Sequence, residues 1–558
     1  MVVFADAEQE KHLDFLKRHE EEELAQMLSH KYGVEYIDLS LVSINTDALR
    51  LVPEQEARTI EAAAFGQVGK RLSLAVRAPE SVAAKELIEK LKNLGYTITV
   101  FMCSQESLKH AFERYADLSY ASSSKAGVLE LSSADLEALL TKVGNLGDIS
   151  RLINEAISMK RTYRISRILQ VVLAGGLAMN ASDIHLEPEE LTVRLRYRLD
   201  GILIDVLTFD HETYHLVLSR LKLISGLKLN VTGEAQDGRF SIKLHGDDVE
   251  MRTSILPSNY GEAVVMRILN PKAIGVPLNE LGIEPKLLTR LEQEIQKPNG
   301  MILTTGPTGS GKTTTLYAFL RRVNEPGTKI ITIEDPIEYH LPIVQTQVEK
   351  GYTFAEGLRS ALRADPDVIM VGEIRDGEVA TTAINAALTG HLVFSTLHTN
   401  NAAGAFPRLI DMGINEKVIS SAVTVAMAQR LIRTLCVKCK KVRPLEPKEQ
   451  ELIDAYMKGL VDQALVPQNT KEVSDANKGG CEACGGRGYK GRIGIYEAIF
   501  MDSKIEDVLR SKPSEREILA ASRAQGIPTM QEDGILKVLR GVTSLSELGR
   551  VIDYNQAL

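Results

Sequence analysis

The sequence predicts a multidomain α/β protein. It has a small α/β domain first, an α+β domain second, and a larger domain built on a parallel sheet with helices on both faces. Three observations predict this. The 558 residues correspond to about three or four domains at roughly 150 residues each. Short apolar runs alternate with helical patterns through the C-terminal half, which implies a parallel sheet. One of those runs feeds a Gly-rich loop that opens a helix.

The elements follow in order. Glu20 to Tyr32 has helical periodicity and many acids. Glu35–Leu39, Leu72–Val76 and Tyr96–Phe101 read as strands, with Pro79–Leu94 as a helix between the last two. Ser119 to Gly127 (SYASSSKAG) is Ser-rich and lacks apolar periodicity, so it reads as linker. Ser132 or Ser133 then caps a helix starting near Ala134. The second domain begins near Gly147 with helical material to about Ala181. Strands follow at Ile184–Leu186, Thr192–Leu199, Ile202–Leu207, Phe240–Leu244, Val249–Ile255 and Ala263–Leu269. Asn270 to Pro285 reads as a hinge. The third domain carries buried-type strands at Met301–Thr305, Lys329–Ile333, Val368–Val371 and Leu392–Thr396, and a helical tail from about Glu506 to Ile552. The expected divisions are 1–118, a linker at 119–146, 147–280 and 281–558, with an insert at 436–490.

Composition narrows the function. Hydrophobic residues at 44% and charged residues at 25% are ordinary for a globular chain, which excludes disorder throughout. A net charge of -8 argues against a nucleic-acid coat, and 5% aromatics with no Trp argues against a base-stacking surface. Five cysteines are too few for a disulfide framework. The uncharged run Ile168–Ser182 is too short to span a bilayer and contains Gly175 and Gly176, and the N-terminus meets charge too early for a signal peptide. The expectation is a cytoplasmic protein.

GPTGSGKT (Gly306–Thr313) fits G-x-x-x-x-G-K-[ST] in full. The glycines let backbone N–H groups turn inward onto phosphate oxygens, and the following helix offers its N-terminal dipole. The nucleotide cradle is then Gly306, Pro307, Thr308, Gly309, Ser310, Gly311, Lys312, Thr313 and Thr314. Lys312 should reach the β/γ-phosphates, and Thr313 should ligate Mg²⁺. A second metal acid is needed; the apolar strand in DPDVIMVGE ends on Glu373, where an aspartate is usual. Water must also be oriented or deprotonated. Glu334, Asp335 and Glu338 of IEDPIE stand just after a strand, and all three are candidates. His391 and His398 flank the strand LVFST. A neutral imidazole there is placed to sense a γ-phosphate, although a satisfied core histidine fits the same pattern.

Cys436/Cys439 and Cys481/Cys484 form two C-x-x-C pairs around a 41-residue stretch. That is the knuckle spacing of a tetrahedral Zn(Cys)₄ site, which has no open position and is therefore structural. Arg430, Arg433, Lys438, Lys440, Lys441 and Arg443 crowd the first pair, either as charge compensation or as a docking patch for anionic lipid or a partner. Arg194, Arg196, Arg198, Arg239, Arg252 and Arg267 precede the Gly-rich loop and can neutralise charge on a γ-phosphate.

At this point the chain resembles the secretion ATPases of type IV pilus assembly and type II secretion over nearly its whole length. ASDIHLEP (Ala181–Pro188), RYRLDG (Arg196–Gly201) and DGR (Asp237–Arg239) come in the family's order. Then follow the Walker A loop, an Asp box at Ile333–Glu338, a Walker B strand ending at Glu373, a His box at Gly390–Asn400, and GYKGRIGIYE (Gly488–Glu497). The resemblance implies a RecA-like motor domain, a PAS-like second domain and a homo-hexamer. It implies ATP and Mg²⁺ bound between the two domains, with structural zinc in the tetracysteine insert. An Asp-box glutamate would be the general base, Glu373 the Walker B acid, and Arg252 and Arg267 the phosphate-facing arginines. It also implies an inner-membrane platform protein as partner, membrane-anchored assembly proteins on the N-terminal domain, pilin moved indirectly, and a location at the inner face of the cytoplasmic membrane. Some relatives bind cyclic di-GMP through R-L-G-x-x-L motifs. This chain has EELAQML (Glu22–Leu28) instead, so that ligand is not carried over.

Three functions stand: a pilus-assembly motor, a type II secretion motor, and a RecA-like nucleic-acid translocase, which net acidity and aromatic poverty oppose. Cys103 has no assigned role.

Overall fold

In the computed structural model the described residues are 21–117, 133–244, 247–270 and 275–554, apart from Ser43, Arg50, Gly69 and Lys160. The linker read at Ser119–Gly127 lies outside them. The chain forms two compact units, 1–124 and 125–558.

In the first unit, β1 (Glu35–Tyr36), β2 (Ala62–Val68), β3 (Arg71–Val76) and β4 (Thr97–Met102) form a sheet of order β1-β4-β3-β2. Helix α1 (Val82–Asn93) joins β3 to its parallel neighbour β4. Ser81 caps it by accepting the Ala84 N–H, and Ala84, Leu87 and Leu91 are buried at helical spacing. The strand read at Glu35–Leu39 shortens to two residues. Strand β2 was missed because AAAFGQV lacks the alternation of a half-buried strand: Ala62 through Phe65 are all buried.

The second unit opens with three helices, α2 (Ser133–Leu140), α3 (Leu146–Ile157) and α4 (Arg161–Ala178). Leu136 and Leu139 are buried in the same core as Ile149 and Ile153. Half of the stretch expected to be linker therefore packs, because i, i+3 leucines give α2 an apolar stripe to bury. Six antiparallel strands follow: β5 (Asp183–Pro188), β6 (Val193–Leu199), β7 (Ile202–Phe209), β8 (Gln236–Leu244), β9 (Asp247–Ser258) and β10 (Gly261–Leu269), in the order β7-β6-β5-β10-β9-β8. Along β6, Val193, Leu195, Tyr197 and Leu199 enter the core, while Arg194, Arg196 and Arg198 take the other face. This is the period-two logic of a one-sided sheet.

The C-terminal sheet has the order β13-β12-β14-β15-β11-β16-β19. It contains β11 (Gly300–Thr305), β12 (Ile330–Glu334), β13 (Val344–Gln347), β14 (Val368–Val371), β15 (Leu392–Leu397), β16 (Val423–Leu435) and β19 (Tyr489–Phe500). Only β19 runs antiparallel to its neighbour. Met301 and Leu303 face one core, and Ile302 faces the other; Ile369 and Val371 against Val368 and Met370 repeat the pattern. Both faces are buried, so these strands read as unbroken apolar runs. The small hairpin β17 (Lys441–Pro444) and β18 (Glu472–Asp475) belongs to the insert. Helix α5 (Pro447–Gly459) of the insert sends Ile453, Tyr456 and Met457 into the motor core, so the insert is not a free lobe. The helical tail is a set of short helices, including α6 (Met530–Leu539) and α7 (Leu545–Val551). No described helix is long and apolar enough to cross a membrane.

Candidate functional site

Strand β11 ends at Thr305 and the Gly-rich loop begins. Gly306, Gly309 and Gly311 have φ of 144°, 78° and 90°, in the region where an L side chain is strained. At Gly306 there is also no room: a Cβ would lie 2.6 Å from Ser310 Oγ and 2.7 Å from the Gln429 carbonyl oxygen. Gly311 is the N-cap of the next helix, Lys312–Val323, and supplies no side-chain acceptor. The first-turn N–H groups of that helix are thus available to an anion. Ser310 Oγ and Gln429 Oε1 are buried beside the loop without a partner. A loop built this way fits the phosphates of a nucleotide.

The Lys312 ammonium donates to the carbonyls of Gly306 (2.7 Å) and Pro307 (3.2 Å). Burial pulls it below the usual lysine range; Glu373 opposes this and Arg430 adds to it. Thr313, one residue on, is exposed at the loop surface. Glu373 stands just past β14. His398 Nε2 lies 3.1 Å from its carboxylate, and Arg375 forms an ion pair with it. Arg375 also reaches Asp335 at 3.3 Å. The sheet order explains this convergence. Strands β11, β15, β14 and β12 are parallel neighbours, so their C-terminal ends open on one edge. Crevices outside such carboxyl ends are where open α/β sheets bind ligands.

The Asp-box acids diverge. Glu334 is 3% exposed. It accepts from Tyr317 Oη, from Thr332 Oγ1 (2.5 Å) and from Gln345 Nε2 (3.0 Å). Glu338 remains half-buried and faces the second domain, where Arg252 Nη1 is 3.5 Å away and Arg252 Nη2 donates to the Ile337 carbonyl at 2.6 Å. Arg267 is 56% exposed and pairs with Asp183 at 3.4 Å. The structure thus brings Lys312, Glu373, His398 and Asp335 together and lays Arg252 on the Asp box. Arg267 stays with its own sheet, and Arg194 and Arg196 pair with Glu189 and Glu187. Four residues at the site were missed in this role: Tyr317, Arg375, Gln429 and Arg430. Each sits inside a recognisable motif or beside one, but nothing local marks its direction.

The four cysteines meet between β16 and β19. Their sulfurs all lie within 4.8 Å, with Cys436–Cys481 at 3.8 Å and Cys439–Cys484 at 3.9 Å. Zn–S bonds of about 2.3 Å place tetrahedral sulfurs about 3.8 Å apart, so the quartet fits zinc. Burial pushes Cys484 up, but the N–H groups of Cys481 and Gly488 and the neighbouring thiols bring it down to about 6. The basic cluster is largely committed internally. Arg433 grips Glu547, Arg443 grips Glu449 and Asp475, and Lys440 and Arg430 donate to carbonyls. Of the six, Lys438 and Lys441 are exposed, which weakens the reading of a lipid patch.

The family described as "Type II/IV secretion system protein" matches residues 159–550, and the MshEN domain matches residues 32–121. The type IV pilus assembly ATPase PilB of Myxococcus xanthus is 35% identical over 95% of this chain and 91% of its own. The type II secretion system protein E of Pseudomonas aeruginosa is 43% identical over 75% of this chain and 80% of its own. A solved structure of the pilus retraction motor PilT with ADP is 26% identical, with a TM-score of 0.45 over 68% of this chain and 95% of that one. With its Gly-rich loop at the carboxyl edge of a mainly parallel sheet, the chain belongs to the type II/IV secretion system protein family and is an ATPase of that family.

Proposed function

We propose that this ATPase powers pilin polymerisation in type IV pilus assembly. The observation that carries the ATPase chemistry is the convergence of Lys312, Glu373 and His398 on one sheet edge. In this reading Gly306–Thr314 hold the nucleotide and Lys312 neutralises phosphate charge. Thr313 and Glu373 would hold Mg²⁺, whose chemistry is to draw charge off the reacting phosphoryl group. His398 orients Glu373 or senses the nucleotide. Glu338 is the general base, because it is half-buried and faces the domain cleft. Glu334 positions the box, because its carboxylate is already occupied by three donors. Arg252 steadies the Asp box, and Arg267 is the more exposed cation of the pair. Cys436, Cys439, Cys481 and Cys484 hold structural zinc.

The proposed domains are 1–118 for recruitment, 147–280 with helix α2 added as the PAS-like domain, and 281–558 as motor with the insert at 436–490. The partners proposed are five further copies in a hexamer, an inner-membrane platform protein, and membrane-anchored assembly proteins on the first domain, with pilin moved indirectly and no nucleic acid. The chain would then work at the cytoplasmic face of the inner membrane. Support for the pilus reading comes from the relative named for pilus assembly, which is matched over 95% of this chain. The second reading, a type II secretion motor, is favoured by the higher identity of 43% to a secretion protein E.

The test is a deletion strain complemented with the wild-type chain or Lys312→Ala. Loss of surface pili with normal export of secreted proteins is expected, restored by the wild type alone. Normal pili with blocked export would replace the first reading by the second.

A further inference from the structure

The loop after β15 carries His398 and is tied down at successive residues. His398 contacts Glu373, Thr305 Oγ1 reaches the Asn401 carbonyl at 3.4 Å, and the Ala402 N–H donates to Glu497 at 2.8 Å. One side chain touches this loop and stands beside the phosphate loop. Strand β16 runs parallel to β11 with Ala428 opposite Thr305, so the next residues, Gln429 and Arg430, stand level with Gly306. Arg430 Nη2 donates to the Asn400 carbonyl at 2.8 Å, and Nη1 donates to the Gln429 carbonyl at 2.9 Å. A Cβ on Gly306 would come within 3.1 Å of Arg430 Nη1. Gln429, itself 1% exposed, donates from Nε2 to the Ser310 carbonyl at 2.8 Å.

Arg430 forms no ion pair among the described residues. Glu497 is near enough to favour its charge, but that carboxylate accepts the N–H groups of Ala402 and Met530. A half-buried guanidinium spent on carbonyls is costly unless its fork holds something that must not move. What it holds is Asn400, on the loop of His398, and Gln429, whose side chain reaches the phosphate loop at Ser310.

We propose that Arg430 is a positioning residue of the ATPase site: its planar fork ties the His-box loop at Asn400 to Gln429, whose side chain in turn holds the phosphate loop at Ser310. Lys312 and the Glu373–His398 pair are thereby kept in one frame. The proposal rests on the ATPase reading of this site. Lysine cannot replace Arg430, because one ammonium has no fixed fork to bridge two carbonyls. Nucleotide affinity depends mainly on the loop N–H groups and should change little, whereas turnover needs both loops in register.

The experiment uses the full chain carrying Arg430→Ala, Arg430→Lys, His398→Ala, or Arg430→Ala with His398→Ala. Thermal unfolding, Kd for a fluorescent ATP analogue with Mg²⁺, kcat and KM are read for each. The expected result for both Arg430 variants is a kcat loss of about 10- to 100-fold, the scale of a small misplacement of reacting groups, with Kd within about threefold of wild type and the fold intact. The double variant should be no slower than His398→Ala, since residues acting as a unit are not additive. Wild-type kcat in Arg430→Ala, full rescue by lysine, or additive losses in the double variant would overturn the proposal. If Arg430→Ala does not fold, Arg430→Lys carries the same comparison. Lys312→Ala separates the two levels: if it also keeps full turnover, the site assignment has failed, and if it alone is inactive, only the role of Arg430 has.

Discussion

Three carboxylates separated by a few residues meet different fates. Glu334 is buried under Tyr317, Thr332 and Gln345, Asp335 is drawn to Arg375, and Glu338 looks toward Arg252. The difference yields a sharp expectation. Glu338→Gln should cut kcat by roughly 10²- to 10⁴-fold, the range of a lost general base, with an unchanged melting temperature. Glu334→Gln should instead lower stability by about 1–3 kcal/mol, because a buried hydrogen-bonded charge is disturbed, and Tyr317→Phe should reproduce part of that loss. Steady-state kinetics and thermal unfolding on the same preparations check this; a reversed pattern would exchange the two roles. Lys312→Ala or Glu373→Ala should abolish turnover with the circular dichroism spectrum unchanged. Hydrolysis near wild type in either variant would remove that residue from the site.

The antiparallel pair β16–β19 carries the cysteine centre at one end, and helix α7 is fastened to β16 through a charged clamp. One zinc per chain is expected by elemental analysis, lost in Cys436→Ser or Cys481→Ser together with a drop in melting temperature. Freshly purified protein with no metal would remove the zinc assignment. In the clamp, the Glu547 carboxylate takes hydrogen bonds from Arg433 and Arg550. Burial pushes Glu547 up, but the Arg550 and Arg433 bonds outweigh it and hold its carboxyl below the usual range. The depressed folded pKa fixes the sign. The clamp stabilises fully above the unfolded value near about 4.3 and is lost as pH falls through the folded value. Glu547→Gln should therefore lower the melting temperature clearly at pH 7 and progressively less below about pH 4. An equal gap at both pH values would show that the clamp acts through packing rather than charge.

For the molecule as a whole, the second domain and the motor meet where Arg252 lies on the Asp box and where Arg487 pairs with Asp200 at 2.6 Å. The first contact is close to the proposed chemistry, and the second fastens the cysteine insert to the β6–β7 turn. Arg252→Ala should lower kcat/KM by about 10- to 100-fold, corresponding to about 1.4–2.7 kcal/mol of lost transition-state stabilisation. Zinc content and the native mass of the oligomer should stay the same. If the native mass instead falls to a monomer, Arg252 serves assembly rather than turnover.

Much of the architecture was legible in the sequence. Periodicity located most strands of the second domain and motor, because a one-sided sheet alternates and a doubly covered one runs apolar without a break. The Gly-rich loop and the cysteine quartet were readable because their chemistry demands particular residues at particular spacings. Strands β2, β13, β16, β17, β18 and β19 were not read, since AAAFGQV, the four-residue strands and the long strands around the cysteines lack a clean period of their own. The sequence alone also could not rank Glu334 against Glu338, or separate Arg252 from Arg267. Nor could it show that Arg430 turns to the Asn400 and Gln429 carbonyls rather than to the cysteines beside it. Those choices depend on which side chain faces a cleft and which is already satisfied in the core. Burial and hydrogen-bond partners come from residues far apart in the chain, as Tyr317 does for Glu334 and Asn400 does for Arg430. Only the packed sheet brings them within reach.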